Sequence, residues 1–159
     1  MTPNLWRNFL SSHQQEAICQ EYLRDFDTEL PKLQSLLCAI GGNMEDVDIF
    51  GLSKSDELIV AQVTKKSKDS IQEKKNALEK YSAEKKIMFC SMEDEPPKIL
   101  NNIYYYPIET VMEEFLKSEK GKNYLKVMKK IAKTLPAPNS SEDFTTLNLP
   151  NFSCKDAPI

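Results

Sequence analysis

The chain has 159 residues, 40% hydrophobic and 28% charged, which fits one packed domain and leaves little room for a second. Its 21 Lys and Arg stand against 24 Asp and Glu, for a net charge of −3. That balance excludes a protein that coats nucleic acid by bulk charge, but not one whose charge is segregated along the chain. No stretch approaches ~18 consecutive apolar residues, so no membrane association is expected. Residues 1–10 lack the basic start and apolar run of a secretory signal, so the expected location is cytoplasmic.

The first forty residues read as helical. Trp6, Phe9 and Leu10 recur at helical spacing, followed by Ala17, Ile18, Tyr22 and Phe26. A second series, Leu30, Leu33, Leu36, Leu37 and Ile40, predicts another helix that starts at Pro31 and ends at Gly41-Gly42. The pattern then changes. Val47 to Phe50 and Leu58 to Thr64 are short and β-branched, with a polar turn between them, and predict a hairpin.

Ile71, Leu78 and Tyr81 predict a helix over 70–83, with Lys74 and Lys75 between its apolar positions. Ile87 to Cys90 and Ile103 to Tyr106 read as strands, and the acidic stretch around Pro96-Pro97 as a loop. Beyond Pro107, Val111, Met112, Phe115 and Leu116 predict a helix that Gly121 interrupts. Tyr124, Leu125, Met128 and Ile131 continue the helical pattern. Residues 135–159 hold four of the nine prolines with much Ser and Asn, so the organisation expected is a domain over 1–134 and a Pro-rich C-terminal arm over 135–159. The expected fold is an α/β domain with a small mixed sheet flanked by helices.

Cys19, Cys38, Cys90 and Cys154 show no C-x-x-C pairing, and the single histidine, His13, completes no zinc set with them. They read as buried thiols of a reducing compartment. Tyr104-Tyr105-Tyr106 reads as an aromatic strand packed on helices rather than as a platform for bases.

The polar residues of the hairpin carry the chemistry. Residues two apart in a strand share a face, so Asp46 and Asp48 align, and so do Gln62 and Thr64. Gln62 lies inside an apolar run, where a buried amide needs partners. Helix, hairpin, helix and strand in this order, with Asp48 opening one strand and Gln62-Val63-Thr64 on the next, resemble the restriction-endonuclease-like superfamily, the PD-(D/E)xK nucleases. The resemblance spans about residues 41–90. It implies that Asp48 binds a divalent metal, Mg²⁺, and that Gln62 helps to hold it where the superfamily usually has an acid. Thr64 departs from the superfamily's lysine, whose role the resemblance then passes to Lys74 or Lys75 on the following helix. Glu16 on the first helix can add a carboxylate.

The charge layout fits that expectation. Residues 41–58 hold five acids against Lys54 alone, residues 65–86 hold eight lysines against four acids, and residues 117–133 hold seven lysines against Glu119. An acidic pocket bordered by basic stretches suits a metal-dependent phosphodiesterase, with Lys65, Lys66, Lys126, Lys129 and Lys130 meeting phosphates of nucleic acid. The rival expectation is a catalytically inactive nuclease fold that binds nucleic acid or a protein, with the arm serving for a protein partner or a homodimer.

Overall fold

The computed structural model describes residues 6–35, 47–93 and 95–134. The expected arm and residues 36–46, with Asp46, Cys38 and the second half of the second expected helix, lie outside them. Six strands form one mixed sheet in the order β1-β2-β3-β4-β6-β5. They are β1 (Leu33–Ser35), β2 (Ile49–Ser53), β3 (Leu58–Ser67), β4 (Lys85–Ser91), β5 (Lys98–Leu100) and β6 (Ile103–Pro107). The helices are α1 (Trp6–Phe9), α2 (Ser12–Asp25), α3 (Gln72–Glu79), α4 (Ile108–Lys117) and α5 (Glu119–Thr134). β1, β2 and β3 run antiparallel in succession, β3–β4 and β4–β6 are parallel, and β5 closes the far edge antiparallel to β6. The architecture is therefore α/β, with a mixed sheet flanked by helices.

Alternation along β3 divides the core. Ile59, Ala61 and Val63 pack with Trp6, Ile18, Tyr22, Val111, Met112 and Phe115 of α1, α2 and α4. Val60 packs on the opposite face with Ile71, Leu78 and Met88, under α3. Burial on both faces explains why Ile59 to Val63 reads as an apolar run broken only by Gln62, the mark of a central strand with a parallel neighbour. The chain enters α2 through a capping box. The Gln14 backbone N–H donates to Ser11 Oγ, and the Ser11 backbone N–H donates to Gln14 Oε1.

One expected element is corrected and one strand is added. The helix over 30–40 gives way at Leu33–Ser35 to strand β1, paired with β2 through Leu33↔Ser53 and Ser35↔Leu52. The outer backbone groups of β2 need partners, and this pairing overrides a leucine spacing that locally favours helix. Strand β5 was not foreseen: it follows the expected loop around Pro96-Pro97 and is joined to β6 by Asn101 and Asn102 at φ 51° and 67°. Two consecutive left-handed asparagines make the two-residue hairpin turn whose twist matches the strands.

Gly121 is also corrected, because it lies inside α5 and the break falls at Ser118. The Ser118 backbone N–H donates to the Phe115 carbonyl at 3.0 Å, and the Lys122 backbone N–H donates to the Ser118 carbonyl at 2.9 Å, so Ser118 ends one helix and starts the next. A Cβ on Gly121 would lie 1.9 Å from the Phe115 carbonyl oxygen, which is backbone and cannot swing aside. Gly121→Ala is therefore expected to destabilise the fold by about 1–3 kcal/mol through overpacking. Urea unfolding measures it, and an unchanged midpoint would contradict this tight helix crossing.

Candidate functional site

The site lies where β2 begins beside β3. Gly51↔Ile59, Phe50↔Val60 and Ile49↔Ala61 set the register, which brings Asp48 opposite Gln62. The Asp48 backbone N–H donates to the Ala61 carbonyl at 3.1 Å. Its carboxylate Oδ2 accepts the Val63 backbone N–H at 2.8 Å. Asp48 thus uses both backbone and side chain to occupy β3 at the end of the pairing, and its carboxylate is held rigidly.

Gln62 is 3% exposed and lies on the α3 side of β3, as does Thr64 at 8%. α3 follows a single tight turn at Lys68–Ser70 and lies across this face, with Ala77 and Leu78 buried. Its Lys74 reaches back over the strand. Lys74 Nζ donates to Gln62 Oε1 at 3.3 Å and stands 3.7 Å from Asp48 Oδ2. One ammonium thus holds the amide oxygen of one strand and the carboxylate of its neighbour. Lys75, half-buried, is rotated about 100° around the helix from Lys74. Thr64 Oγ instead accepts the Lys66 backbone N–H at 3.1 Å, an ordinary local turn bond.

Glu16 of α2 adds the fourth group. Its carboxyl is pushed up to about 7, first by burial and then by the negative charge of Asp48, with Lys74 pulling the other way. His13, one turn earlier on α2 and mostly exposed, stands 3.7 Å from it. Glu16 is thus coupled by charge to Asp48 and Lys74, and Lys74 bonds Gln62. The four make one cluster drawn from α2, the residue before β2, β3 and α3, with α2 and α3 on opposite faces of the sheet. Cys19, fully buried, lies behind it, and burial followed by the charges of Glu16 and Asp48 holds its thiol well above the ordinary range. A buried neutral thiol in that place is inert.

The expected phosphate-binding lysines are spread more widely. Lys65 and Lys66 are exposed at the end of β3, where Lys65 Nζ donates to the Arg7 carbonyl at 3.4 Å and the Lys65 carbonyl accepts from Arg7 Nη1 at 3.0 Å. Lys126, Lys129 and Lys130 are exposed on α5. That helix packs on α4 and is tied to α2 by Lys120, which pairs with Glu21 and Asp25. Those two acids lie five and nine residues along α2 from Glu16, so α5 is anchored roughly 7–14 Å from the cluster along the helix axis.

A second polar network, not foreseen from the sequence, ties the strand ends together. Arg7 Nη2 donates to Glu109 Oε2 at 2.5 Å and to Ser91 Oγ at 3.0 Å, Ser91 also donates to Glu109, and the Met92 backbone N–H donates to Glu109 Oε1 at 3.1 Å. Each acceptor here is already engaged, so the network holds α1, β4 and α4 together rather than offering a binding place.

Among the described residues, no group of three or more His, Cys, Asp or Glu side chains is placed to hold a metal ion, and no helix is long and apolar enough to cross a membrane. The cluster offers two carboxylates and one amide oxygen. Hard, oxygen-seeking Mg²⁺ keeps several waters and uses one or two carboxylates, so this donor set suits it better than a soft metal. No known protein family matches this chain, and no curated protein or solved structure matches it either.

Proposed function

We propose that the chain is a restriction-endonuclease-like phosphodiesterase that cleaves nucleic acid with the help of a divalent metal, Mg²⁺, at the Glu16–Asp48–Gln62–Lys74 cluster. The observation that carries this reading is the meeting of Lys74 with both Gln62 and Asp48. In this reading the helix lysine takes the part of the lysine that Thr64 lacks.

Asp48, Gln62 and Glu16 would hold the ion through oxygen. When bound, Mg²⁺ neutralises phosphate charge and makes a coordinated water more acidic. Asp48 is pre-set by the Val63 N–H and needs no reorganisation to present its free lone pairs. Lys74 lies where it can stabilise negative charge developing on a phosphoryl oxygen. In the hydrolysis, the water oxygen bonds to phosphorus, the P–O bond to the leaving sugar oxygen breaks, and the proton given up by the water is balanced by one returned to that oxygen. Glu16, holding its proton up to about pH 7, would release it on taking the ion.

A second reading has its own support. The Lys74 ammonium lies between the oxygens of Asp48 and Gln62, and an amide replaces one acid. A site so satisfied suits an inactive module that binds nucleic acid or a protein partner. The two readings separate in one assay. The full chain is incubated with supercoiled, linear and single-stranded DNA and with RNA, in Mg²⁺, Mn²⁺ or EDTA. Cleavage that needs the metal is the expected result. Intact substrates under every condition, with no heat of Mg²⁺ binding, leave the inactive module.

A further inference from the structure

The lysines of α5 beyond its first turn differ from those around them. Lys117 pairs with Glu113 at 2.7 Å, and Lys120 with Asp25 at 2.7 Å and with Glu21. Past Lys120 the helix holds Lys122, Lys126, Lys129, Lys130 and Lys133 and no acid. All five are exposed, and none has an ion-pair partner among the described residues. At about 100° per residue, Lys122, Lys126, Lys129 and Lys133 fall within about 60° of one another, in a stripe about 16 Å long. A merely solvated helix gains stability by placing Glu four residues before Lys, whereas here like charges face each other at i,i+4. The helix keeps this repulsion in a chain whose net charge is −3.

We infer that this stripe binds the phosphate backbone of a nucleic-acid duplex, at a face separate from the Glu16–Lys74 cluster. A duplex presents one negative charge per ~1.7 Å of axis, so it offers phosphates along the whole stripe. Single strands need stacking platforms, and the one aromatic residue of α5, Tyr124, is buried against Phe115 with ring centroids 6.2 Å apart. An anionic lipid surface needs a free apolar face beneath the lysines. Here Tyr124 and Met128 are consumed by the core and Val127 alone is an exposed large hydrophobic residue of the helix. The inference does not depend on the cluster being catalytic.

The test measures binding of the full chain to a short duplex in EDTA, which prevents cleavage, across a salt series. Changing Lys122, Lys126, Lys129 and Lys133 together to Gln is expected to lower affinity at least tenfold at ~0.1 M salt. It should also reduce the slope of log K against log salt by about 3–4, near one for each phosphate no longer neutralised. The same four positions as Arg should keep both. Thermal melting of the Gln variant should match or exceed that of the parent, because repulsion is relieved. An unchanged affinity and slope in the Gln variant overturns the inference. So does lysine-dependent binding to phosphatidylserine vesicles that is stronger than binding to the duplex, or equal loss for a duplex and a single strand. Stripe-dependent duplex binding by a chain that shows no metal-dependent cleavage would refute the proposed function and leave this inference standing, so the two failures are distinct.

Discussion

Asp48→Asn is expected to abolish metal-dependent cleavage, by a factor of at least about 10³, while the protein stays folded. The asparagine side-chain oxygen can still accept the Val63 N–H that Asp48 Oδ2 takes at 2.8 Å, so the end of β2 keeps its partner. Asp48→Ala would instead leave that N–H unpaired, at about 1–3 kcal/mol, and would mix a folding loss with a chemical one. What the Asn variant loses is one of the two carboxylates that would face the metal, so calorimetry should show weakened Mg²⁺ binding together with the lost turnover. Lys74→Met is the companion experiment. It keeps the stem and removes the ammonium that meets Gln62 Oε1 at 3.3 Å and Asp48 at 3.7 Å. If that ammonium stabilises charge in the transition state, turnover falls about 10²–10³-fold, the size seen when one preorganised donor is removed. Mg²⁺ affinity should hold or improve, because a competing cation is gone. The inactive-module reading gives the opposite pattern, with no metal-dependent turnover in the parent chain and none to lose in either variant.

How much of this was legible beforehand follows from the range of the forces involved. The β2–β3 hairpin was written locally, in β-branched runs around a polar turn. Period-two alternation aligned Gln62 with Thr64 within one strand, but that Asp48 and Gln62 share a face follows only from the β2–β3 register. Lys74 stood out because a charge lay inside an apolar helical series. Choosing it over Lys75 required the rotation of α3 on the sheet, which is a tertiary fact. β1 was hidden because Leu30, Leu33, Leu36 and Leu37 have helical spacing, and only the free backbone edge of β2 decides for a strand. β5 was masked by Pro96-Pro97, although Asn101-Asn102 held the signal of a tight hairpin. Gly121 reads as a helix breaker in one dimension and as a point of close approach in three. The proton on Glu16 was not legible at all, since it depends on burial and on a charge thirty-two positions away in sequence.

That proton leads to the last expected result, a stability profile that Glu16→Gln changes in one direction only. The ordinary carboxyl value is 4.5, and in the folded chain Glu16 stands at about 7. The unfolded chain releases this proton first, so between these values the folded state binds more protons. Stability from this group is then full below pH 4.5 and is lost as pH rises through 7. A difference of this size corresponds to at most about 3–4 kcal/mol at 1.36 per unit. Because the side chain is 27% exposed, an effect on the order of 2 kcal/mol is expected. Glutamine cannot ionise, so the variant should equal the parent near pH 4.5 and exceed it at pH 8. For a chain of this size that is a rise in Tm of roughly 4–8 °C. Thermal melts in EDTA between pH 4.5 and 8.5 measure it, with His13→Gln as the control for the neighbouring imidazole. Parallel curves for parent and Glu16→Gln would refute the buried proton. Adding Mg²⁺ then distinguishes the two readings of the site. If the ion takes Glu16 as a ligand, it displaces the proton, so Mg²⁺ affinity in the parent should rise with pH through 7 and that dependence should vanish in the variant. If Lys74 instead closes the site to metal, the pH profile stays the same with and without Mg²⁺.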